Sequence, residues 1–345
     1  MMYSFPDALL RLLVSLIINC FLAVSISPSA TSFVILGQRK KDKKADGSSK
    51  RRIVLRPLPT VLLGVTLEGV SNLPEGEQID VNDAVSHHRI KPISRIVFDY
   101  ENKPEDYLEV GSQLHQHSFI MGEILDSASL KECNLTCYSE RTRSYLDQLG
   151  NKVDIWEIGN EVNGEWTGSS TTETVKKIEA ACKLVKDRGG RTALTLYYNS
   201  TCPPPDRKYE MWQWINDHHR VLSGMKLDYV LVSYYEDHCG GPAPDWVAIF
   251  KQLARYFPNS SLGIGECGMI DESGECVPGN ISEKTRRINN YYKTIHSRLM
   301  TSEVRTKYAG GYFWWCYRKD MVPRLGQGEL NPLWKAVEDA TRDWR

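Results

Sequence analysis

After Arg52 the hydrophobic and polar positions of the chain settle into an alternation. Short, nearly continuous apolar runs rich in β-branched and aromatic residues occur at "VLLGVTLEG", "ISRIVFDY", "SFIMGEILDS", "VDIWEIGNE", "RTALTLYYN", "LDYVLVSYYED", "SLGIGECG" and "AGGYFWWCY". Runs of this kind, bounded by turn residues, are the pattern of parallel strands covered on both faces. Between them lie stretches of helical period. The clearest is "TTETVKKIEAACKLVKDRGG", with Val175, Ile178, Cys182 and Val185 on one stripe, a threonine pair at its start and Gly189–Gly190 at its end. "EDYLEVGSQLHQ" begins just after Pro104, a favourable helix start. Further helical patterns are "YSERTRSYLDQLG", "DRKYEMWQWINDHHR", "PDWVAIFKQLARYF", "ISEKTRRINNYYKTIHSRLM" and "NPLWKAVEDATRDW". The first connection shows only a weak helix near Val81–Arg89.

Eight β units, each followed by a helix, predict an α/β protein with a single (β/α)8 TIM barrel, a fold that typically needs about 250 residues. An open doubly wound sheet is the alternative. It lacks the Gly-rich phosphate loop expected after a first strand. The barrel is expected over residues 56–345, preceded by a basic flexible linker over 32–55 and a targeting segment over 1–31. In that segment Arg11 precedes the apolar run "LLVSLIINCFLAVSI" and the small residues "SPSATS". The pattern fits a cleaved signal peptide or a retained signal anchor, and only the latter would bring in a membrane.

Charge changes the picture little. Arg39–Arg52 holds eight basic and two acidic residues, and residues 53–345 hold 34 basic against 40 acidic. A slightly acidic body does not fit a nucleic-acid partner. Four glycosylation patterns, at Asn134, Asn199, Asn259 and Asn280, favour a secreted or lumenal location. So does the cysteine count, because nine cysteines become eight if Cys20 leaves with the signal. Cys133, Cys137, Cys202, Cys239, Cys267, Cys276 and Cys316 fall at or beyond strand ends, so at least two disulfides are expected there, with Cys182 free on its helix.

Active sites of such barrels lie at the C-terminal ends of the strands. Strand 1 ends near Glu68, strand 2 carries Arg95 and Asp99, and strand 3 ends near Asp126. Strand 4 ends in Asn160–Glu161, strand 5 in Tyr198–Asn199, strand 6 in Tyr234–Tyr235, strand 7 in Glu266 and strand 8 in Trp314–Trp315. Glu161 and Glu266 are 105 residues apart, three βα units, so they can face each other across the mouth. Two carboxylates about 5–5.5 Å apart are what retaining glycoside hydrolysis requires.

On the "GNE" ending strand 4, the Glu of "GIGECG", the strand-6 Tyr and the strand-8 Trp, the chain after about residue 56 resembles the (β/α)8 glycoside hydrolases of clan A. The resemblance implies a retaining hydrolase acting on β-linked glycosides. It implies Glu161 as acid/base, Glu266 as nucleophile, Asn160 as a contact to the sugar 2-hydroxyl, and Arg95, Tyr235 and Trp315 as further substrate-site residues. The chain departs from the clan's pattern in two ways. No His follows strand 3 or lies in strand 6, and "VNG" follows Glu161 where Pro is common. No particular family is indicated.

Structural roles compete for several of these residues. Glu157 lies deeper in the barrel, and Glu165 follows Gly164 in a loop. Glu68 and Asp126 are either substrate contacts or solvated charges, and Arg95 could pair with Asp99. Of Trp314 and Trp315, one should face the helices and one the lumen. A transglycosylase would use the same residues, and a carbohydrate-binding barrel without catalysis would not need both glutamates. A metal hydrolase is disfavoured because the histidines are not clustered at strand ends; only His238 is near a rim. Neither a cofactor nor a metal is called for, and the expected partner is a carbohydrate substrate.

Overall fold

The structure, a computed structural model, describes residues 52–239, 244–322 and 331–344. The targeting segment and most of the basic linker lie outside the described residues, as does the side chain of Cys239. Eight strands close into a parallel barrel in sequence order, with β8 pairing back onto β1. They are β1 (Leu62–Leu67), β2 (Ile93–Val97), β3 (Phe119–Glu123), β4 (Ile155–Glu157), β5 (Thr192–Tyr197), β6 (Tyr229–Ser233), β7 (Ser261–Cys267) and β8 (Tyr308–Trp314). Seven fall inside one of the apolar runs, and β8 starts one residue before its run. β4 is the shortest, because the chain leaves regular pairing after Glu157 on its way to Glu161.

Helices cover the outside. Thr171–Asp187 starts at Ser170, whose side chain accepts from the Glu173 N–H, and buries Val175, Ile178, Cys182 and Val185. Leu135–Leu149, Met211–Gly224 and Trp246–Tyr256 are capped in the same way by Asn134, Glu210 and Asp245. The stretch Ile281–Thr301 is continuous but contains a π-helical segment at Asn289–Ile295. The first connection differs from expectation. Its helix is Glu75–Ser86, twelve residues starting after Pro74, earlier than the weak helix expected near Val81–Arg89. Its apolar stripe is sparse, with only Val81, Ala84 and Val85 buried, so periodicity hid its first turns.

Two apolar layers result. The larger lies between strands and helices. The smaller fills the barrel: Leu62, Ile93, Met121, Ile155, Ala193, Leu231 and Phe313, from seven different strands. Side chains alternate along a strand, so the residue two positions on also faces the lumen, one level nearer the C-terminal mouth. From Ile93, Met121 and Ile155 that step arrives at Arg95, Glu123 and Glu157; from Ala193 and Leu231 it arrives at Thr195 and Ser233. The barrel thus carries an apolar floor beneath a polar layer.

β8 is irregular for a steric reason. Gly310 and Gly311 have φ of +79° and +106°. A Cβ on Gly311 would lie 2.0 Å from the Ile264 carbonyl oxygen, and one on Gly310 would lie 2.4 Å from that of Leu62. Pairing shifts register on both sides of this bulge. Trp314 then faces the helices, fully buried with its indole N–H on Asp320 at 2.9 Å, while Trp315 turns to the mouth.

Candidate active site

The polar layer is built around Arg95. Its Nε donates to Glu157 at 2.6 Å, and its Nη2 lies 2.9 Å from Glu123 and 2.9 Å from Glu266. The expected alternative partner, Asp99, is not one of these contacts; it accepts from Asn102 and from the Tyr107 hydroxyl. Arg95, Glu123 and Glu157 are each no more than 1% exposed. Burial works against the guanidinium charge, but Glu123, Glu157 and Glu266 together hold its pKa well above the ordinary value. Burial outweighs Arg95 for Glu123, whose carboxyl is pushed well above the usual range. Glu157 also accepts from the Thr195 hydroxyl, so it is an internal anchor of the guanidinium below the mouth.

Above this layer stands Glu266. It accepts from Asn160 Nδ2 at 3.0 Å and from the Tyr235 hydroxyl at 2.6 Å, in addition to its Arg95 contact. Its backbone N–H donates to Ser233 Oγ at 2.9 Å, which fixes the end of β7 against β6. Burial raises the Glu266 carboxyl above its ordinary value, and Arg95, Tyr235 and Asn160 offset part of that rise. Tyr235 itself is held as a neutral donor, its pKa pushed well up by burial and by both glutamates.

Glu161 is set differently. It has φ of +42°, a left-handed conformation that a residue with a long side chain adopts only when the surroundings impose it. The surroundings here are a tight turn. Gly164 N–H closes back on the Glu161 carbonyl at 2.7 Å, and Val162 N–H reaches Thr195 at 3.3 Å. Asn163 staples the turn to β5, donating to the Tyr197 and Tyr209 carbonyls and accepting from the Tyr197 N–H. The Glu161 carboxyl is buried, and its Oε1 has no hydrogen-bond partner. Burial first, then the facing carboxylates Glu266 and Asp126, push its pKa well above the usual range. The two glutamates therefore share a mouth but not an environment: Glu266 is met by three donors, while Glu161 has Ser233 and an unpartnered Oε1.

Both open on one cavity of about 710 Å³, which Asn160, Tyr235 and Trp315 also line. All four expected substrate-site residues thus gather at the pair: Arg95 beneath it, Asn160 and Tyr235 on Glu266, and Trp315 on the wall, with the Arg95 guanidinium 5.9 Å from its ring. Asn160 spends one N–H on Glu266, and its buried Oδ1 has no partner in the protein, so the atom it leaves open is an acceptor. Asp126 lines the cavity, held by the Ala128 N–H at 2.7 Å. Glu68 does not line it; it lies 3.9 Å from Arg318 and 3.8 Å from Lys319. His238 lines the rim with Nε2 on the Asp271 carbonyl at 3.0 Å, and no group of metal-ligating side chains occurs among the described residues.

Two cavity features were not legible in advance. Strand 5 contributes Tyr197 rather than Tyr198 or Asn199. Asn199 is buried, donating to Tyr209 and accepting from Met211, so one of the four glycosylation patterns is internal. Trp166 reaches the cavity from the loop after Glu161. The near-strand cysteines pair as Cys133–Cys137 and Cys276–Cys316, and Cys202 is also disulfide-bonded. Cys182 is free as expected; Cys267 is free too, because it turns to the outer core, away from the loops.

No protein-family model matches the chain, and no curated protein matches it. Among solved structures it is similar to a family 1 β-glucosidase from Thermotoga maritima, with a TM-score of 0.50 and 11% identity over 76% of this chain and 89% of that one. The same glucosidase in complex with isofagomine lactam gives 0.51 and 11% over 77% and 90%. A glycoside hydrolase family 5 enzyme from Prevotella bryantii B14 gives 0.51 and 12% over 81% and 96%. The chain therefore shares its (β/α)8-barrel fold with these enzymes, a likeness that extends to more than one family and singles out none.

Proposed function

We propose that the protein is a retaining glycoside hydrolase acting on a β-linked glycoside, with Glu266 as nucleophile and Glu161 as acid/base. The observation that carries this reading is the unequal setting of the pair. Glu266 receives Arg95, Tyr235 and Asn160, which favour its ionised form, whereas Oε1 of the proton-holding Glu161 is unengaged. Environments that set two facing carboxyls apart are how one site supplies both an acid and a nucleophile. In the first step Glu266 attacks the anomeric carbon, and Glu161 gives its proton to the departing oxygen. In the second, Glu161 takes a proton from water, which attacks the same carbon and releases Glu266. Arg95 and Tyr235 hold Glu266 in place, and Asn160 Oδ1 accepts from the sugar 2-hydroxyl. Trp315 offers an apolar face to the ring. The same chemistry with a sugar acceptor would be transglycosylation. The multiple disulfides fit a secreted or lumenal protein.

Proton NMR of the first-formed sugar tests the reading. From a β-glycoside the β-anomer should appear before mutarotation, and Glu266→Gln should abolish its release. The α-anomer appearing first would mean single displacement by water and a carboxylate spacing of about 6.5–9.5 Å. A barrel that binds sugars but turns over none of a panel of aryl β-glycosides would be a carbohydrate-binding protein instead.

A further inference from the structure

Of the nine tryptophans, Trp166 is the exposed one, at 37%. Its indole is nevertheless held from several sides. Nε1 donates to the buried Ser127 hydroxyl at 2.9 Å. One face lies directly on the Gly164 backbone: a Cβ there would come within 2.4 Å of the ring, so position 164 accepts no side chain. Tyr197 meets it edge-on, with centroids 5.3 Å apart at 67°. The loop beneath is tied by Thr167 Oγ1 to the Gly164 carbonyl at 2.8 Å and by the Tyr209 hydroxyl to the Gly168 carbonyl at 2.8 Å. The indole N–H is already used, so what Trp166 presents to the cavity is an apolar surface on a fixed mount. An exposed, immobilised aromatic of this kind marks a ligand surface rather than a core contact.

Its position says which part of a ligand it meets. Trp166 belongs to the turn that carries Glu161, the group assigned to protonate the departing oxygen. Trp315 is anchored on the other side, its backbone N–H on the Cys267 carbonyl at 2.9 Å, next to Glu266. β4 and β8 are four strands apart in an eight-stranded closed barrel, so the two indoles rise from opposite walls. A cavity of about 710 Å³ lies between them, in the range that encloses ligands larger than a single sugar ring.

We infer that Trp166 is the stacking platform for the leaving group, and that the site is built for β-linked oligosaccharides in which a sugar ring departs across this indole. The inference rests on the proposed hydrolase reading for the direction of the substrate, but its binding consequence does not. Apolar C–H faces of a pyranose stack on such a surface, and the contact helps bond cleavage only if the leaving group has a ring.

The test compares leaving groups with and without one. Wild type, Trp166→Ala and Trp166→Phe are assayed on β-glycosyl fluorides of gluco, galacto, manno and xylo configuration and on the matching β-linked di- and trisaccharides. For Trp166→Ala the ratio of kcat/KM on oligosaccharide to that on fluoride should fall about tenfold or more, and Phe should restore most of it. Equal losses on both substrates would reduce Trp166 to a support for the Glu161 turn and overturn the inference, as would no loss on either. Equilibrium binding of the same trisaccharides to Glu266→Gln, with and without Trp166→Ala, decides the matter independently of turnover. If wild type hydrolyses nothing but Trp166→Ala still weakens trisaccharide binding about tenfold, the hydrolase reading falls and the platform stands. If trisaccharide affinity does not change, the platform is wrong whatever the activity.

Discussion

Replacing Arg95 with Met should destabilise the barrel more than any other single polar change in the lumen, and the loss should depend on pH in a stated direction. The side chain is 1% exposed and contacts three carboxylates at 2.6, 2.9 and 2.9 Å. Met matches much of its length, so the packing deficit is small and the electrostatic one dominates. Removing one partner of a buried ion pair costs about 3–5 kcal/mol, because the charge left behind has neither water nor counter-ion. In a domain of this size each kcal/mol shifts Tm by about 2–4 °C, so the midpoint should fall by roughly 6–20 °C near neutral pH. Without the guanidinium, the folded-state pKa values of Glu123 and Glu266 rise further. A carboxyl raised in the folded state contributes stability that is present below its unfolded pKa, about 4.3, and lost as pH rises. The gap between variant and wild type should therefore widen from about pH 4 to pH 8. Urea unfolding at several pH values measures it. Adding Glu123→Gln and Glu157→Gln to the Met variant should recover part of the loss, since neutral amides need no counter-ion. A deficit below about 1 kcal/mol, or one of the same size at every pH, would refute the view that Arg95 holds the polar layer by charge.

Other consequences can be checked separately. With an activated aryl leaving group, Glu161→Ala should lose the high-pH limb of the rate profile, which in wild type marks loss of the Glu161 proton as pH rises through its raised pKa, and external azide should partly restore turnover. The low-pH limb, set by protonation of Glu266, should remain; its disappearance would point to Glu161 instead. Gly311→Ala places a Cβ 2.0 Å from the Ile264 carbonyl oxygen at φ +106°, so it should cost at least about 2 kcal/mol in urea unfolding. A loss below about 1 kcal/mol would mean that the β8 bulge relaxes freely. Cys276–Cys316 spans 40 residues, and its removal by Ser substitution should cost up to about 4 kcal/mol; two additional reactive thiols in the denatured wild type would show that the bond is not formed.

Much of the fold was written in local pattern. Eight apolar runs became eight strands because burial on both faces leaves that signature in the chain itself, whatever the partner strand is. The stripe Val175, Ile178, Cys182, Val185 and the free thiol within it are local in the same sense. The catalytic candidates were legible because strand ends in a closed parallel barrel converge, so position along the chain stands in for position in space. What the tertiary structure alone decided are contacts between strands and the direction of side chains where the backbone departs from regularity. Arg95 faces Glu123, Glu157 and Glu266 across the lumen, where pairing depends on barrel closure, rather than Asp99 on its own strand. The left-handed turn at Glu161 decides which way its carboxyl points, and the bulge at Gly310–Gly311 places Trp314 in the core and Trp315 at the mouth. Trp166 carries no local sign of its role. A tryptophan in a loop reads as unremarkable until Ser127 and Tyr197, brought from two other βα units, hold it over the cavity. Period and composition report burial along one segment; they carry no information about which distant segment supplies the other half of a contact.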